Sequence, residues 1–309
     1  MTRRRLGRSD LMFEPLVFGG NVFGWTLDES AAFAVLDAFL DAGFTAIDTA
    51  DVYGKGKSEI IVGNWMKARG NRDRVLVFTK LGSEMAPGEK GLSARYMVEA
   101  VEKSLRRLAT DRIDLYQSHR PDPETPQDET LEAYDRLVKA GKVRFIGASN
   151  FSAGQHAEAA RISAARHLVR YESEQPEYNL YVRDRFEGPL QNFCVEHEIG
   201  VIPYFSLAAG FLTGKYRSPD EALKHPGRGG RLKRYADARG FAILKALDAV
   251  AARHQATLAQ VALAWLMGQP LITAPIASAT SLEQLNDIMK AAALKLTADD
   301  RKLLDSASA

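Results

Sequence analysis

Short apolar runs recur along the chain at a nearly constant interval, and the segments between them have the periodicity of amphipathic helices. The runs cover residues 16–18, 45–47, 75–78, 113–116, 145–148, 171–174, 200–203 and 271–274. Most steps between their centres are about 30 residues, which is the length of one strand-helix unit. Eight such units predict an α/β fold of the (β/α)8 TIM-barrel type.

The main alternative is an open, doubly wound sheet, because that fold also alternates strands and helices. Such a sheet normally carries a glycine-rich dinucleotide fingerprint after its first strand, and the sequence contains no G-x-G-x-x-G. We therefore predict the barrel. We assign all of residues 1–309 to a single barrel domain, since single barrels of about 250 residues are common.

Two segments depart from the regular spacing. Residues 2–13 precede the first barrel strand and predict an N-terminal β-hairpin that turns around residues 7–10 and covers the barrel floor. The gap between strands seven and eight is about twice the usual step and contains several Pro and Gly residues, which predicts a long, mobile loop. This loop is cationic through Arg228, Arg231, Lys233 and Arg234.

Charge and composition restrict the class of partner. Lys and Arg number 41 against 39 for Asp and Glu, and a net charge of +2 does not sustain the broad positive field of a nucleic-acid-binding protein. No stretch approaches the roughly 20 apolar residues of a membrane span. The only cysteine, Cys194, excludes an intramolecular disulfide and a zinc site built on several thiolates. We expect a cytoplasmic protein that acts on a small molecule, and the sequence leaves its oligomeric state open.

Reactive polar side chains follow several neighbouring strands. In barrels of this type the active site forms at the carboxyl ends of the strands, so we expect these side chains to meet at one rim. They are Asp48 and Tyr53 after strand two, Lys80 after strand three, His119 after strand four, Ser149 and Asn150 after strand five, and Gln175 after strand six.

This set of side chains suits proton transfer coupled to hydride transfer. A phenol is a poor acid or base at neutral pH until a cation stabilises its phenolate, and Lys80 can supply that charge to Tyr53. Asp48 would pair with Lys80, and His119 would hydrogen-bond a substrate carbonyl oxygen. Each residue alone also fits a structural role, so the functional interpretation rests on their joint placement at adjacent strand ends.

Five runs of the sequence together resemble the aldo-keto reductase superfamily. They are residues 48–54 (DTADVYG), 78–80 (FTK), 113–119 (IDLYQSH), 147–151 (GASNF) and 204–215 (YFSLAAGFLTGK), in the family's order. The resemblance covers essentially the whole chain and implies a barrel that binds NADPH across the strand ends and reduces aldehydes or ketones. It implies that Asp48, Tyr53, Lys80 and His119 are the catalytic tetrad, with Tyr53 as general acid and base.

The same resemblance implies the cofactor contacts. Ser149, Asn150 and Gln175 would hold the nicotinamide carboxamide, and Tyr204 would stack on the nicotinamide ring. Farther along the chain, Gly210 and Lys215 suit the pyrophosphate of the cofactor, because glycine allows close backbone approach and lysine offsets negative charge. The other cofactor contacts that the resemblance implies before strand eight are Gly20, Asn21, Asp48, Ser206 and Leu207.

The segment after strand eight departs from the family pattern. Many relatives place a Lys or Arg there for the 2'-phosphate of NADPH and an asparagine near the adenine, whereas here the cation is missing and Ile288 takes the asparagine position. Ser278, Thr280 and Gln284 remain as contacts, and hydroxyls at a helix start can donate to a phosphate. We predict NADPH/NADP+ as cofactor and keep NADH as the alternative; cations of the 227–234 loop folding over the phosphate are one route to NADPH selectivity.

The substrate pocket is expected to be lined by Trp25, Tyr53, His119 and Arg120, with Phe23, Met85 and Tyr204 as further candidates. Aromatic linings favour apolar or ring-shaped substrates, whereas Arg120 favours a carboxylate or phosphate. Two other functions are compared with a carbonyl reductase. One is a cofactor-binding regulatory subunit resembling potassium-channel β subunits, and the other is a metal-dependent hydrolase. The hydrolase is disfavoured because the histidines mostly fall in predicted helices or loops, so we predict no metal site.

Overall fold

The computed structural model of the protein describes residues 2–223 and 229–309. Within them, eight strands pair in parallel in one sheet, and a separate two-stranded antiparallel sheet lies at the N-terminus. The strands are β1 (Arg4–Arg5), β2 (Met12–Phe13), β3 (Val17–Gly19), β4 (Ala46–Asp48), β5 (Leu76–Leu81), β6 (Ile113–Ser118), β7 (Val143–Ser149), β8 (Tyr171–Gln175), β9 (Gly200–Val201) and β10 (Ile276–Ala277).

Helices lie between successive strands, as the periodicity predicts. They are α1 (Glu29–Asp41), α2 (Lys57–Arg69), α3 (Ala94–Leu108), α4 (Gln127–Lys139), α5 (Ala153–Arg166), α6 (Pro189–His197), α7 (Pro219–Leu223), α8 (Gly229–Leu232), α9 (Ala238–His254), α10 (Leu258–Met267), α11 (Leu282–Met289) and α12 (Ala298–Ser308). Within residues 2–223 and 229–309, none of these helices combines the length and the apolarity that a bilayer crossing requires.

The strand order confirms the predicted (β/α)8 barrel. The order of the large sheet is β10-β3-β4-β5-β6-β7-β8-β9, so the last strand of the chain pairs with the first strand of the sheet. A parallel bridge between Val201 and Ile272 joins the remaining edges. Strands such as β6 are buried at every position, because helices cover the outer face and side chains fill the interior.

The eighth strand lies farther along the chain than the sequence predicts. Residues 271–274 were expected to form it, but the regular pairing with β3 is made by Ile276 and Ala277. The earlier segment contacts the other edge, where the Thr273 amide donates to the Val201 carbonyl at 2.8 Å. Pro275 separates the two parts, and because proline has no N–H it cannot continue a regular ladder.

The N-terminal hairpin covers the floor of the barrel, as predicted. Arg4 pairs with Phe13 and Arg5 with Met12. Leu6, Leu11 and Phe13 are buried in the same cluster as inward-facing residues of the barrel strands, including Phe78 and Ile202. The hairpin therefore seals the amino ends of the strands and leaves the carboxyl ends as the open rim.

The long connection after the seventh strand is present, but its described part is largely helical rather than a structureless loop. It contains a short 3-10 segment (Ala208–Thr213) followed by α7, α8, α9 and α10. Arg228 and the side chain of Arg231 lie outside the described residues. Aromatic side chains of this connection, Phe211 and Tyr235, are buried in one cluster with residues of α9 and α10. Burial of these side chains explains why the segment folds onto the barrel.

Replacing Phe13 by alanine tests the seal of the barrel floor. The Phe13 ring is fully buried and packs edge-on against Phe78 with centroids 5.3 Å apart. Loss of the ring creates a cavity, so the free energy of unfolding in urea should fall by about 3–5 kcal/mol. Met12→Ala is the matched control, because the neighbouring Met12 is 42% exposed and its loss should cost less than about 0.5 kcal/mol. Equal effects of the two substitutions would contradict the described hairpin register.

Candidate active site

A cavity of about 1190 Å³ opens at the carboxyl ends of the barrel strands. Its lining follows the ends of β3, β4, β6, β7, β8 and β10 and continues onto the connection after β9. This is the rim where the sequence predicts the reactive side chains. The volume exceeds the common range of small-molecule sites, roughly 300–1,000 Å³, so one cavity has room for a large ligand and a smaller one together.

A buried ion pair lies directly beneath this cavity. The Lys80 ammonium is fully buried and donates to Asp48 Oδ2 at 2.6 Å, to the Thr49 carbonyl at 2.8 Å and to the Tyr53 hydroxyl at 3.3 Å. An ammonium has three hydrogens and no acceptor, so these three bonds use its whole capacity. Tyr53 therefore accepts from Lys80, and its own proton is free to point toward the cavity, which its ring lines.

The charges around Lys80 and Tyr53 decide their protonation. Burial by itself would lower the pKa of Lys80, but the Asp48 carboxylate and the Tyr53 oxygen raise this pKa above its usual value. Burial raises the pKa of Tyr53, and the nearby Lys80 charge only partly offsets that rise. The sequence predicts that Lys80 would lower the pKa of this phenol. In the free protein desolvation outweighs the cation, so Tyr53 keeps its proton at neutral pH.

The Asp48 carboxylate is also held from its other side. The amide nitrogen of Gln175 donates to Asp48 Oδ1 at 3.0 Å, and that of Gln117 lies 3.4 Å from the same oxygen. Both oxygens of the Asp48 carboxylate thus accept hydrogen bonds, which fixes the group where it contacts Lys80.

His119 faces Tyr53 across the cavity, with ring centroids 5.9 Å apart in an edge-on arrangement. Burial, together with the charges of Lys80 and Arg120, lowers the pKa of His119 to about 3. The imidazole is therefore neutral at physiological pH. Its Nδ1 is buried and makes no hydrogen bond with any residue that the structure describes. A neutral ring beside a phenol can hydrogen-bond a carbonyl oxygen without adding a charge to the pocket.

Asn150 connects the His119 strand with the far wall of the cavity. Its side-chain amide donates to the His119 carbonyl at 3.1 Å and to Ser149 Oγ at 3.0 Å, while its oxygen accepts from the Tyr204 hydroxyl at 2.8 Å. Ser149 in turn donates to the Gln175 carbonyl at 2.8 Å. All five of these residues line the cavity, so amide and hydroxyl groups converge beside an aromatic ring.

A second buried pair supports the turn that carries Asn150. This residue has a left-handed backbone with φ of 64°, a conformation that costs energy for a residue with a side chain. Below the turn, His156 Nε2 lies 2.9 Å from the Glu174 carboxylate, and both side chains are buried. Burial raises the pKa of Glu174, and His156 and the backbone amides of Asn150 and Phe151 oppose that rise. The Glu174 carboxylate therefore lies against the backbone of the Asn150 turn, although its Oε1 makes no well-formed hydrogen bond in the described part of the chain.

Asp51 is a buried carboxyl group next to the ion pair. It is 1% exposed, and its oxygens make no well-formed hydrogen bond with any group in the described part of the chain. Its backbone amide donates to the Lys80 carbonyl at 3.1 Å. Burial and the Glu59 charge raise the pKa of Asp51 to about 7, with partial opposition from Val52 N–H, Arg107 and Lys80. No sequence pattern marks Asp51, since its burial depends on how the surrounding elements pack.

Most of the predicted site residues line the cavity. Lys80 lies beneath it, as described above. Three predicted cofactor contacts do not line it: Gly20, Ser206 and Thr280. Ser206 is buried and donates to the Pro203 carbonyl at 3.1 Å. The predicted residues on the lining are Asn21, Trp25, Asp48, Tyr53, His119, Arg120, Ser149, Asn150, Gln175, Tyr204, Leu207, Gly210, Lys215, Ser278 and Gln284.

Two of the further substrate-pocket candidates lie elsewhere. Phe23 is fully buried and stacks on Phe18 with centroids 5.4 Å apart, so it belongs to the core. Met85 is not on the lining of the cavity. Both follow a strand in the sequence, and the sequence alone does not show which way such a side chain turns.

Several lining residues escaped the sequence analysis because they do not directly follow a strand. Lys57 is the first residue of α2, and Thr257 precedes α10. Asp287 lies within α11 and accepts from Thr257 Oγ1 at 2.9 Å and from Gln260 at 2.7 Å. A search that included the N-terminal turns of the helices would have found Lys57 and Thr257. Further lining residues that the sequence did not assign to the site are Gly24, Val52, Gly54, Phe205, Ala209, Thr213 and Ala259.

Two of the cations predicted to fold over a cofactor phosphate, Lys233 and Arg234, lie away from the cavity. Arg234 forms an ion pair with the buried Glu177 carboxylate and stacks on the Tyr235 ring at 4.5 Å. Arg185 contacts the other oxygen of Glu177 at 3.0 Å. Neither Arg234 nor Lys233 is on the lining of the cavity. Arg234 therefore fastens the connection after β9 to the segment after β8.

The lining fits a dinucleotide cofactor in its chemistry. Amide donors beside the Tyr204 ring suit a flat carboxamide-bearing ring, and Lys215 and Gly210 follow along the same cavity. A Cβ added to Gly19 would lie 2.5 Å from Ser278 Oγ, so a larger residue would crowd the lining here. Residues 2–223 and 229–309 contain no group of three or more His, Cys, Asp or Glu arranged to hold a metal ion.

Comparison with known proteins gives one consistent result. The model of the Aldo/keto reductase family matches residues 15–309. The aldo-keto reductase YhdN of Bacillus subtilis (strain 168) is 36% identical over 298 residues, which cover 92% of this chain and 85% of that protein. A probable voltage-gated potassium channel subunit beta of Oryza sativa subsp. japonica is 35% identical over 301 residues, covering 94% and 91%. The uncharacterized oxidoreductase YrpG of Bacillus subtilis (strain 168) is 34% identical over 312 residues, covering 97% and 94%.

Asp51→Asn should change how stability depends on pH. An unfolded aspartate has a pKa near 3.9, whereas that of folded Asp51 is about 7. Between these values the folded protein keeps a proton that the unfolded chain has lost, so stability falls as pH rises from about 4 to about 7 and then levels off. Removing the group should leave stability near pH 4 little changed and raise it above pH 7 by about 1–4 kcal/mol.

The measurement is urea unfolding at a series of pH values. Asp41→Asn is the matched control, because it makes the same substitution at an exposed position at the end of α1. Parallel stability curves for the wild type and Asp51→Asn would show that the buried carboxyl does not titrate as described.

Proposed function

Because the chain belongs to the aldo/keto reductase family, whose model matches residues 15–309, we propose that it is an NADP(H)-dependent oxidoreductase that reduces an aldehyde or ketone to an alcohol, or catalyses the reverse reaction. One observation carries the proposal. The three hydrogens of the Lys80 ammonium are all committed, one of them to the Tyr53 oxygen, which leaves the Tyr53 proton available at the cavity.

Tyr53 is the proton donor in this proposal. When bound, a reduced nicotinamide would supply a hydride, that is, a proton with two electrons, to the carbonyl carbon. The π electrons of the C=O bond move to oxygen, the Tyr53 O–H bond breaks, and its proton goes to that oxygen. The bond from Lys80 stabilises the phenolate that remains. In the reverse direction the same phenolate accepts the alcohol proton.

Three other side chains position the reacting groups but transfer no atom themselves. They are Asp48, Lys80 and His119. Asp48 keeps the buried ammonium charged and fixed, since a buried charge without a partner is costly. His119 is neutral and donates a hydrogen bond to the carbonyl oxygen, which orients the oxygen toward Tyr53. Arg120 and Trp25 line the same part of the cavity and would contact the rest of the substrate.

NADPH is the proposed cofactor, with NADH as the alternative. Ser149, Asn150 and Gln175 suit the carboxamide, and Lys215 suits the pyrophosphate. At the adenosine end, Ser278 donates to the Gly19 carbonyl at 2.7 Å. Backbone amides at the start of α11 are the groups proposed to bind the 2'-phosphate. The cytoplasmic location and the single-domain organisation expected from the sequence stay predictions.

A regulatory subunit is the second candidate. The relative from Oryza sativa that is 35% identical carries the name of a probable potassium channel subunit beta, so a cofactor-binding role in an assembly is the alternative. The two functions differ in turnover. An enzyme reduces carbonyl compounds at a steady rate with NADPH, whereas a regulatory subunit binds the cofactor with little or no turnover.

Tyr53→Phe tests the proposed function. The substitution removes the proton donor and keeps the ring, so kcat for carbonyl reduction should fall by about 10²–10⁴ while the dissociation constants of NADPH and NADH stay within about threefold of the wild-type values. Tyr116→Phe is the control, because the Tyr116 hydroxyl is buried away from the cavity lining. Near-normal turnover in Tyr53→Phe would refute the assigned acid, and a wild type that binds NADPH without reducing any carbonyl in a broad panel would favour the regulatory subunit.

A further inference from the structure

Arg120 is a cation on the lining of the cavity that has no acidic partner among the described residues. It is the second residue after β6, next to His119. Its guanidinium donates only to Ser83 Oγ, at 3.3 Å, and it forms no ion pair with any carboxylate in residues 2–223 and 229–309. Other arginines of the described structure form ion pairs with buried carboxylates; Arg107, for example, contacts Glu59 at 2.7 Å.

The charge of Arg120 acts inside the cavity. It lies close enough to His119 and to Tyr204 to disfavour positive charge on the imidazole and to favour the phenolate of the tyrosine. The guanidinium is therefore near the two side chains between which the reacting carbonyl and the nicotinamide ring are proposed to lie.

The acidic side chains on the lining do not neutralise this end of the cavity. The Asp48 charge is matched by Lys80 at 2.6 Å. The Asp287 carboxylate is held by Thr257 and Gln260 in the helices after β9 and β10. Lys57 also lines the cavity, with its side chain beside Gly24 and Gly54, and makes no ion pair within the described ranges. Arg120 and Lys57 thus add two positive charges to the lining, against the single negative charge of Asp287 that no described cation pairs with.

We propose that the substrate is a small carbonyl compound that carries an anionic group, a carboxylate or a phosphate, which Arg120 binds. The inference rests on the proposed carbonyl reduction. A guanidinium presents parallel N–H donors that match two oxygens of a carboxylate or phosphate, and such bidentate pairs are among the strongest hydrogen bonds in proteins. Lys57 adds positive potential, and Trp25, which is 52% exposed, offers an apolar surface for the carbon chain.

An anchored anion also improves the geometry of the reaction. A substrate held by Arg120 at one end and by His119 at its carbonyl oxygen has two fixed points, so its carbonyl carbon loses little further freedom when hydride transfer begins. Arg120 is therefore a specificity-determining residue rather than a group that takes part in proton or hydride transfer. Its loss should affect anionic substrates much more than neutral ones.

The test compares substrates that differ only in the anionic group. The pairs are 4-oxobutanoate with butanal, and glycolaldehyde phosphate with glycolaldehyde, each reduced with NADPH. The ratio of kcat/KM for the anionic member to that for the neutral member should exceed 10 in at least one pair. Arg120→Gln should lower that ratio at least tenfold, mainly through KM. The control Arg95→Gln, at a position 91% exposed in the side chain on α3, should leave the ratio unchanged.

A binding measurement separates this inference from the proposed function. Succinate and inorganic phosphate, which are not reduced, should bind the wild-type protein in the presence of NADP+, and Arg120→Gln should weaken the tighter of the two at least tenfold by calorimetry. The preferred ion identifies the substrate as a carboxylate or a phosphate. Equal kcat/KM ratios in wild type and Arg120→Gln would overturn the inference and leave the reductase intact. If the wild type reduces none of these carbonyl compounds but Arg120→Gln still weakens anion binding, the proposed reductase is overturned and the anion site is supported.

Discussion

The arrangement of the active site depends on the hydrogen-bond requirement of one buried ammonium group. Lys80 is fully buried, and a charged amine in such a place is stable only when every proton has an acceptor. Asp48, Thr49 and Tyr53 provide the three acceptors. The same bonds fix where the Tyr53 oxygen lies and leave its proton unused. A requirement of folding thereby creates a proton donor at the surface of the cavity.

The parallel sheet makes this arrangement possible. Asp48 and Phe78 are partners in the register of β4 and β5, which places Lys80 one pleat beyond Asp48 on the same side of the sheet. The next strands add Gln117 and Gln175, whose amides hold the opposite oxygen of Asp48. Each strand contributes polar side chains at its carboxyl end, and the hairpin seals the other end with apolar ones. Stability and reactivity are thus separated along the barrel axis.

The sequence was informative about the strand ends and less so about the groups that reach the cavity from elsewhere. Apolar runs and their spacing located Asp48, Lys80 and His119, because a strand of known direction fixes where its last residue lies. Thr257 and Asp287 come from helices, and their approach to the cavity depends on how α10 and α11 pack on the sheet. Asp51 was missed for a similar reason, since the sequence does not show that its carboxyl group is buried.

The eighth strand lies farther along the chain than predicted, and Arg234 lies away from the cavity, for related physical reasons. Pro275 shifts the regular pairing by a few residues, and an apolar run alone does not reveal which edge each part contacts. Arg234 belongs to a cationic stretch, but the buried Glu177 carboxylate attracts it away from the cavity. In both cases the deciding partner lies far away in the sequence, so local patterns carry no information about it.

The most direct test of the account is the rate of hydride transfer in a protein that lacks the buried ion pair. The double variant Asp48→Asn/Lys80→Met removes both charges together, which avoids leaving one buried charge without a partner. Stopped-flow absorbance of NADPH in a single turnover, at saturating cofactor and carbonyl substrate, reports the step itself. Without the ion pair we expect a rate at least ~100-fold below that of the wild type, with Tyr53 still present. A rate close to that of the wild type would show that the ion pair does not prepare Tyr53 for proton transfer.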